Sequence, residues 1–424
     1  MRILLLNDLH DPRIGSSVRL MYQLGARFRA AGHECALVST TPDRALATPT
    51  EIEGLPVFRL WSDYPLRFRS FVGLDNRRVR APFAKLLEEW RPDVVHAHLV
   101  HTHLSYAALT RSRESGAGVV FTAHDVMTFC HQKLTCFHGG EEHGGLLHDT
   151  RAYWQKCLPC QRLRWNPWRN AAIRRVLERD VQRTSAVSEE LAKVLRENSI
   201  RVDRVLHNAL APQRELPDAA AVQRFRARFG LEQAQVLAIG GRLHEQKGVK
   251  QLLRMLAQLA PGFPALRLLV LGKRELYEQE FAGLARELGV AERVVATGWL
   301  EGGELQAAYA ATDVFVTPSI CFDTFGMVNL EAMEHGKPVV ATVFGGSPEV
   351  VENGLTGFVA NPFDLEAFSE RIARLLANPV LAQHMGAAGQ VRLREHFGIE
   401  RLAVVCIEEY EKARSLARGS TSTS

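Results

Sequence analysis

The sequence predicts an α/β protein made of two doubly wound domains in series, and three observations predict it. A chain of 424 residues is too long for a single hydrophobic core. Short β-branched runs alternate with amphipathic stretches in both halves, which is the pattern of parallel strands joined by crossover helices. Residues 211–221, with two prolines, three consecutive alanines and mixed charge, read as the linker between the halves.

In the first half, residues 3–6 read as a strand, 8–17 as a loop holding Gly15, 18–31 as a helix ended by Gly32, and 35–38 as a second strand. Further strands are expected at 57–60, 94–97, 119–122 and 184–187, with helices at 82–90 and 188–196. A Cys-, His- and Arg-rich insertion at about 125–175 interrupts this domain, which is expected to cover 1–210 and to be rejoined by a C-terminal helix at about 398–416. The second domain, 211–397, is expected to carry strands at 235–239, 266–271, 294–297, 314–319, 338–342 and 357–360, and helices at 249–259, 303–311 and 364–376. The polar tail 417–424 has nothing to pack and is expected to be disordered.

The formal net charge of +5 suits acidic small molecules or an anionic membrane surface, and is too weak to argue for nucleic acid. The apolar run after Arg2 is far shorter than a signal-peptide core, and no stretch of about 18 apolar residues occurs. The expectation is a cytoplasmic protein, soluble or held peripherally on the inner face of the cytoplasmic membrane. Seven cysteines in a reducing compartment point to thiols or metal ligands rather than disulfides.

Most of the chemistry lies in residues 323–333. Asp323 or Thr324 is expected to cap a helix that Gly336 and Pro338 stop. The N–H groups of Phe325, Gly326 and Met327 would then form an anion site backed by the helix dipole. Glu331 lies too deep in that helix to cap it, and reads either as an acceptor for a hydroxylated ligand or as a core glutamate satisfied by a neighbour. Upstream, Gly240 and Gly241 free the backbone at a strand-to-helix turn, where Arg242 and Lys247 can reach one diphosphate from two sides. Downstream, Phe344-Gly345-Gly346-Ser347-Pro348-Glu349 is a second glycine-rich turn opening a helix.

Together these blocks resemble family 4 of the retaining glycosyltransferases, over essentially the whole chain. The resemblance implies the GT-B fold, two Rossmann-like doubly wound domains facing each other across a cleft. It implies a hexosyltransferase that moves a sugar from a nucleoside diphosphate donor, a UDP- or GDP-sugar, to a hydroxyl of a glycan or lipid-linked acceptor. Asp323 and Glu331 are similar to the family's paired acids, and Arg242 and Lys247 to the pair that neutralises the donor diphosphate. Gly15 and Ser16 resemble the loop facing the donor phosphate, and Gly241, Thr324, Phe325, Gly326, Met327 and Val328 fall at donor-contacting positions. His124, within Thr122-Ala123-His124-Asp125, resembles the histidine beside the reaction centre, and Val187-Ser188 and Asn208 match smaller signatures. Two positions depart from the pattern: Asp323 stands where Glu is commoner, one methylene shorter, and Ser16 where a second glycine is usual. No cofactor is implied for catalysis, since such an enzyme needs no metal. The alternatives are a sugar-nucleotide epimerase on the same fold and a nucleotide-sugar-binding protein without turnover.

His96 and His98, at the carboxyl end of a strand, read as positional hydrogen-bonding residues rather than ligands. Two stretches interleave cations with large apolar groups: 66–71 continuing to Arg80, and 162–169 continuing to Arg175. They read as a surface for an anionic bilayer or as a solvated face whose aromatics lie in the core. Cys130, Cys136, Cys157 and Cys160 cluster within the insertion, where an even spread would put about half a cysteine. Cys157 and Cys160 have knuckle spacing, and Cys130 with Cys136 could complete a four-thiolate structural zinc site. Unliganded thiols, an iron–sulfur cluster, a redox pair and a nucleic-acid role for the insertion stay open beside it.

Overall fold

A computed structural model describes residues 1–11, 16–212, 215–241 and 243–419. Gly15 and Arg242 lie outside the described residues, as does the Ser16 side chain. The chain forms two compact units: Met1–Leu134 with Thr150–Ala211 and Ile399–Ser424, and Thr135–Asp149 with Pro212–Gly398.

The first unit holds β1 (Arg2–Asn7), β2 (Glu34–Thr41), β3 (Thr50–Ile52), β4 (Leu55–Trp61), β5 (Val94–Leu99), β6 (Gly118–Ala123), β7 (Arg183–Ala186) and β8 (Arg204–Val205). They are ordered β3-β4-β2-β1-β5-β6-β7-β8, and every pair is parallel except the β3–β4 hairpin. β3, three residues, and β8, two residues, are too short to show a period in the sequence. Parallel strands covered on both faces read as unbroken apolar runs, and Ile3, Leu4, Leu5 and Leu6 are fully buried. The helix Ser16–Ala30 lays Val18, Met21, Leu24 and Phe28 on this sheet, where they meet Ile399, Cys406, Tyr410 and Ala413 of the last helix, Ile399–Gly419. That last helix is bound by Arg27 to Glu400 at 3.0 Å and by the buried Glu409 to Arg183 at 2.7 Å and Arg204 at 3.1 Å. It passes so close to β6 that a Cβ on Gly118 would fall 2.7 Å from the Arg414 nitrogen.

The second unit holds β9 (Gln235–Gly240), β10 (Leu266–Leu271), β11 (Val294–Gly298), β12 (Val314–Thr317), β13 (Val339–Thr342) and β14 (Gly357–Ala360), ordered β11-β10-β9-β12-β13-β14 and all parallel. The helix Val249–Leu259 buries Leu252, Leu256 and Leu259, the apolar face its spacing predicts. Residues 135–149 depart from the expected domain division, because they belong to this unit and not to the first. Aromatic packing explains it: Phe137 meets Phe322 and Phe344 edge-on at 5.8 and 5.3 Å, and the His138 ring stacks on Phe344 at 5.3 Å. Asn361 Nδ2 donates to Gly144 O at 2.6 Å, and Arg254 pairs with Glu141 at 2.9 Å.

Candidate active site

In the second unit β9 and β12 are neighbours, while their successors β10 and β13 run off in opposite directions. Such a reversal leaves a crevice at the carboxyl ends of the two strands, the place where open α/β sheets bind ligands. The loop after β9 passes through Gly241 and a short 3-10 turn, Glu245–Lys247, to Gly248. Gly248 has φ +73°, and a Cβ there would fall 1.8 Å from Pro318 O, so only glycine lets this loop close on the end of β12. Gln246 O then accepts from Ile320 N at 2.9 Å.

That contact sets Lys247 against the acid loop. Its Nζ lies 2.9 Å from Asp323 Oδ2, and Ser319 Oγ donates to the same oxygen at 3.1 Å. Burial works against the ammonium charge, but the Asp323 carboxylate outweighs it, and the Lys247 pKa lies above its usual value. The second glycine turn holds the loop from behind, with Gly346 N donating to Asp323 O at 2.7 Å. A Cβ on Gly345, at φ +73°, would meet that oxygen at 2.0 Å.

The following helix is Met327–Glu334, and its cap is Gly326 at φ +82° with no side-chain cap bond. This corrects the expectation of an Asp323 or Thr324 cap, since the Asp323 carboxylate is drawn to Lys247 and Ser319 instead. Phe325 is 2 % exposed with its ring against Phe397, so its backbone alone could face a ligand. Val328 Cγ1 lies 3.7 Å from where a Gly241 Cβ would stand, which brings these two candidate donor-contacting positions together. Asn329 is fully buried and accepts from Thr317 Oγ1 at 2.9 Å. Glu331 is half-buried, and Tyr309 OH donates to its Oε2 at 2.6 Å. Tyr309 stacks on His335, whose Nδ1 lies 2.8 Å from Glu331 O. Tyr309 was not legible in the sequence, because it meets Glu331 through tertiary contact; Ser319, four residues before Asp323, reads there only as the end of a strand.

The first unit gathers histidines at the ends of β5 and β6. His98 Nδ1 lies 2.7 Å from His124 Nε2, and His96 bridges Tyr410 OH at 2.7 Å and Thr122 Oγ1 at 2.8 Å. Burial, reinforced by neighbouring imidazoles, pushes His96 down to about 3 and His98 well below its usual value. Burial also holds His124 down to about 4, although Asp125 pulls the other way. These rings are therefore neutral donors and acceptors at neutral pH. His101 Nε2 lies 3.2 Å from Asp125 Oδ1. Asp8, just past β1, accepts from the N–H groups of Thr102, His103 and Leu104 at 2.8, 2.9 and 2.7 Å. It too escaped the sequence, because its partners lie more than ninety residues away.

None of the seven cysteines is in a disulfide, and among the described residues no three His, Cys, Asp or Glu side chains are grouped to hold a metal. Cys157 and Cys160 lie inside the helix Trp154–Gln161 rather than on a knuckle turn, and Cys136 belongs to a different unit from the other three. The two basic stretches, by contrast, do meet: Ser70 Oγ donates to Arg164 O at 2.7 Å and Asn166 Nδ2 to Ser70 O at 2.9 Å. Leu66, Phe68, Phe71, Leu163 and Trp168 stand exposed there, Leu163 completely, so this is not a face with its large apolar groups in the core. Among the described residues no helix is long and apolar enough to cross a membrane.

These units define a GT-B-type α/β protein, a class to which known structures are similar along nearly the whole chain. Sucrose-phosphate synthase from Thermosynechococcus elongatus matches with TM-score 0.75 at 20% identity, covering 98% of this chain and 99% of that one. Anabaena HepE in complex with UDP and glucose matches with TM-score 0.71 at 19% identity, covering 97% and 99%. Residues 15–209 match the glycosyl transferase 4-like domain and residues 222–392 match glycosyl transferases group 1, so the chain belongs to the family 4 glycosyltransferases. A GDP-mannose-dependent alpha-(1-6)-phosphatidylinositol monomannoside mannosyltransferase of Mycolicibacterium smegmatis is 38% identical over 180 residues, 41% of this chain and 47% of that protein. A D-inositol 3-phosphate glycosyltransferase of Segniliparus rotundus is 35% identical over 168 residues, 39% of this chain and 37% of that protein. The chain spans about half the length of the curated relatives it matches.

Proposed function

We propose that the protein is a retaining hexosyltransferase that moves a sugar from a UDP- or GDP-sugar to a hydroxyl of a glycan or lipid-linked acceptor in cell-envelope polysaccharide, lipopolysaccharide or glycolipid synthesis. The observation that carries this reading is the Lys247–Asp323 pair at the β9/β12 switch point, one loop away from Glu331. As the bond from the anomeric carbon to the diphosphate breaks and the bond to the acceptor oxygen forms, negative charge gathers on the leaving phosphate. A cation fixed in place beforehand stabilises that charge without reorganising, the largest contribution such a site can make without a metal. In this reading Lys247 meets that charge together with Arg242, Asp323 addresses the donor sugar, and Glu331 accepts from the ribose hydroxyls with its orientation set by Tyr309. The backbone at Gly241 and Thr324 to Val328, with Gly15 and Ser16, contacts the donor, and neutral His124 offers a hydrogen bond to a sugar hydroxyl.

The relatives are named as transferases, which favours transfer over the epimerase reading. The exposed patch of Leu66, Phe68, Phe71, Leu163 and Trp168 among Arg67, Arg162 and Arg164 supports a peripheral site on the inner face of the cytoplasmic membrane. The reading is tested by thermal shifts and product analysis across a panel of nucleotide sugars. A donor at about 100 times its dissociation constant adds about 2.7 kcal/mol. A shift without product would leave a binding protein, and no shift with any donor would end the transferase reading.

A further inference from the structure

The insertion leaves a cavity of about 530 Å³ in the first unit that the donor chemistry does not use. This lies within the roughly 300–1,000 Å³ typical of small-molecule sites. Its walls come from the segment after β6, from the helix Trp154–Gln161 and from the start of the helix Arg169–Asp180. Four kinds of group in its wall bear on a ligand. Tyr153, Trp154 and Trp165 offer flat apolar faces, and Arg151 and Arg174 supply cations that have no carboxylate partner among the described residues. The one carboxylate in the wall, Glu197, has an oxygen occupied by the Thr150 hydroxyl. The amides of Asn166, Asn170 and Asn198 are committed to the protein's own backbone: Asn166 to Ser70 O, Asn170 to Phe129 O, Asn198 to Thr150 O.

Flat aromatic faces accept the C–H face of a sugar or cyclitol ring, and two guanidiniums select a phosphate, which each can grip with two N–H groups. We propose that this cavity binds a phosphorylated sugar or cyclitol, and that the acceptor of the transfer reaction is of this class. The second clause rests on the transferase reading. It is supported by the position of the cavity wall in the chain, since Thr128 and Phe129 follow His124 by a few residues on the loop leaving β6.

The test titrates the full-length protein calorimetrically with glucose 6-phosphate, mannose 6-phosphate and myo-inositol 1-phosphate, beside free glucose, inorganic phosphate and AMP. At least one sugar or cyclitol phosphate is expected to bind, with the other three probes at least tenfold weaker. Arg151→Ala and Arg174→Ala should each weaken it roughly ten- to a hundredfold, the loss of a charge-assisted hydrogen-bond pair. Both arginines are at least partly exposed, so unchanged melting curves will show that the fold persists. Failure of all three phosphorylated probes, affinity unchanged in both variants, or equal binding of phosphate or AMP would overturn the site. In the transfer assay, Arg174→Ala should raise the KM for the phosphorylated acceptor and leave the donor-induced thermal shift intact. An unchanged KM would overturn the acceptor assignment, whereas loss of donor shifts in the unsubstituted protein would fault the transferase reading itself.

Discussion

Lys247 and Asp323 hold each other at 2.9 Å across the β9/β12 switch point, so the candidate cation for the donor diphosphate and the first acid of the pair act as one unit. Removing either partner leaves an uncompensated, largely buried charge. Asp323→Ala and Lys247→Ala are each expected to lose about 2–4 kcal/mol of stability and most of the turnover. The double variant should be no worse than the poorer single one, because residues acting together are not additive. Additive losses in a double-mutant cycle would show that the pair does not act together.

Glu331→Ala and Arg242→Ala should each lower transfer by roughly a hundredfold or more with the fold intact. Tyr309→Phe removes the donor to Glu331 and should raise the donor KM more than it lowers kcat. Near-normal turnover in both Glu331→Ala and Arg242→Ala would remove the assignment of the site.

Gly248→Ala and Gly345→Ala place a Cβ 1.8 Å from Pro318 O and 2.0 Å from Asp323 O, both at φ +73°. Each should cost more than about 2 kcal/mol, read as a fall in the denaturation midpoint, and should lose activity, since both steric overlap and backbone strain must be relieved. Substitution at Gly303, where a Cβ meets nothing within 4 Å, is the control.

Acid should destabilise the first unit through its buried histidines. His96, at about 3, and His124, at about 4, bind protons less readily folded than unfolded, where the pKa is 6.5. Their contribution is complete above pH 6.5 and is lost as the pH falls toward 4. Asp8, whose pKa burial raises, works in the opposite sense in acid. Denaturant melts between pH 7 and 4 should show the decline, and His98→Asn should flatten it by removing one buried imidazole.

The product is expected to keep the donor's anomeric configuration, which proton NMR of the first-formed glycoside reads directly. Sedimentation with anionic vesicles should exceed that with neutral ones and fall with salt, and Phe71→Ser with Leu163→Ser should weaken it. Equal binding to both vesicle types would remove the membrane reading.

The strands of both sheets other than β3 and β8 were legible because parallel strands buried on two faces are continuous apolar runs, as in 3–6 and 266–271. Asp323, Lys247, Gly241 and Gly345 stood out in the sequence because each sits at a strand-to-helix turn whose residues are contiguous. Tyr309 and Asp8 were not, since each reaches its partner through the folded core.

The last helix and the segment Thr135–Asp149 give the protein an interleaved order of assembly. On a ribosome, residues 1–134 emerge well before residues 399–419, and their sheet stays uncovered on the side taken by Tyr410 and Ala413 until that helix has been synthesised. The 135–149 strap likewise waits for Phe322, Phe344 and Phe363 of the later unit. No single cleavage point separates the two units into complete halves. A fragment ending at residue 211 lacks the helix that covers its core, and a fragment beginning at 212 lacks the strap that seats His138 beside the acid loop. Nascent chains will therefore hold apolar surface open until the helix Ile399–Gly419 has been made, and chaperone occupancy should fall once that helix packs.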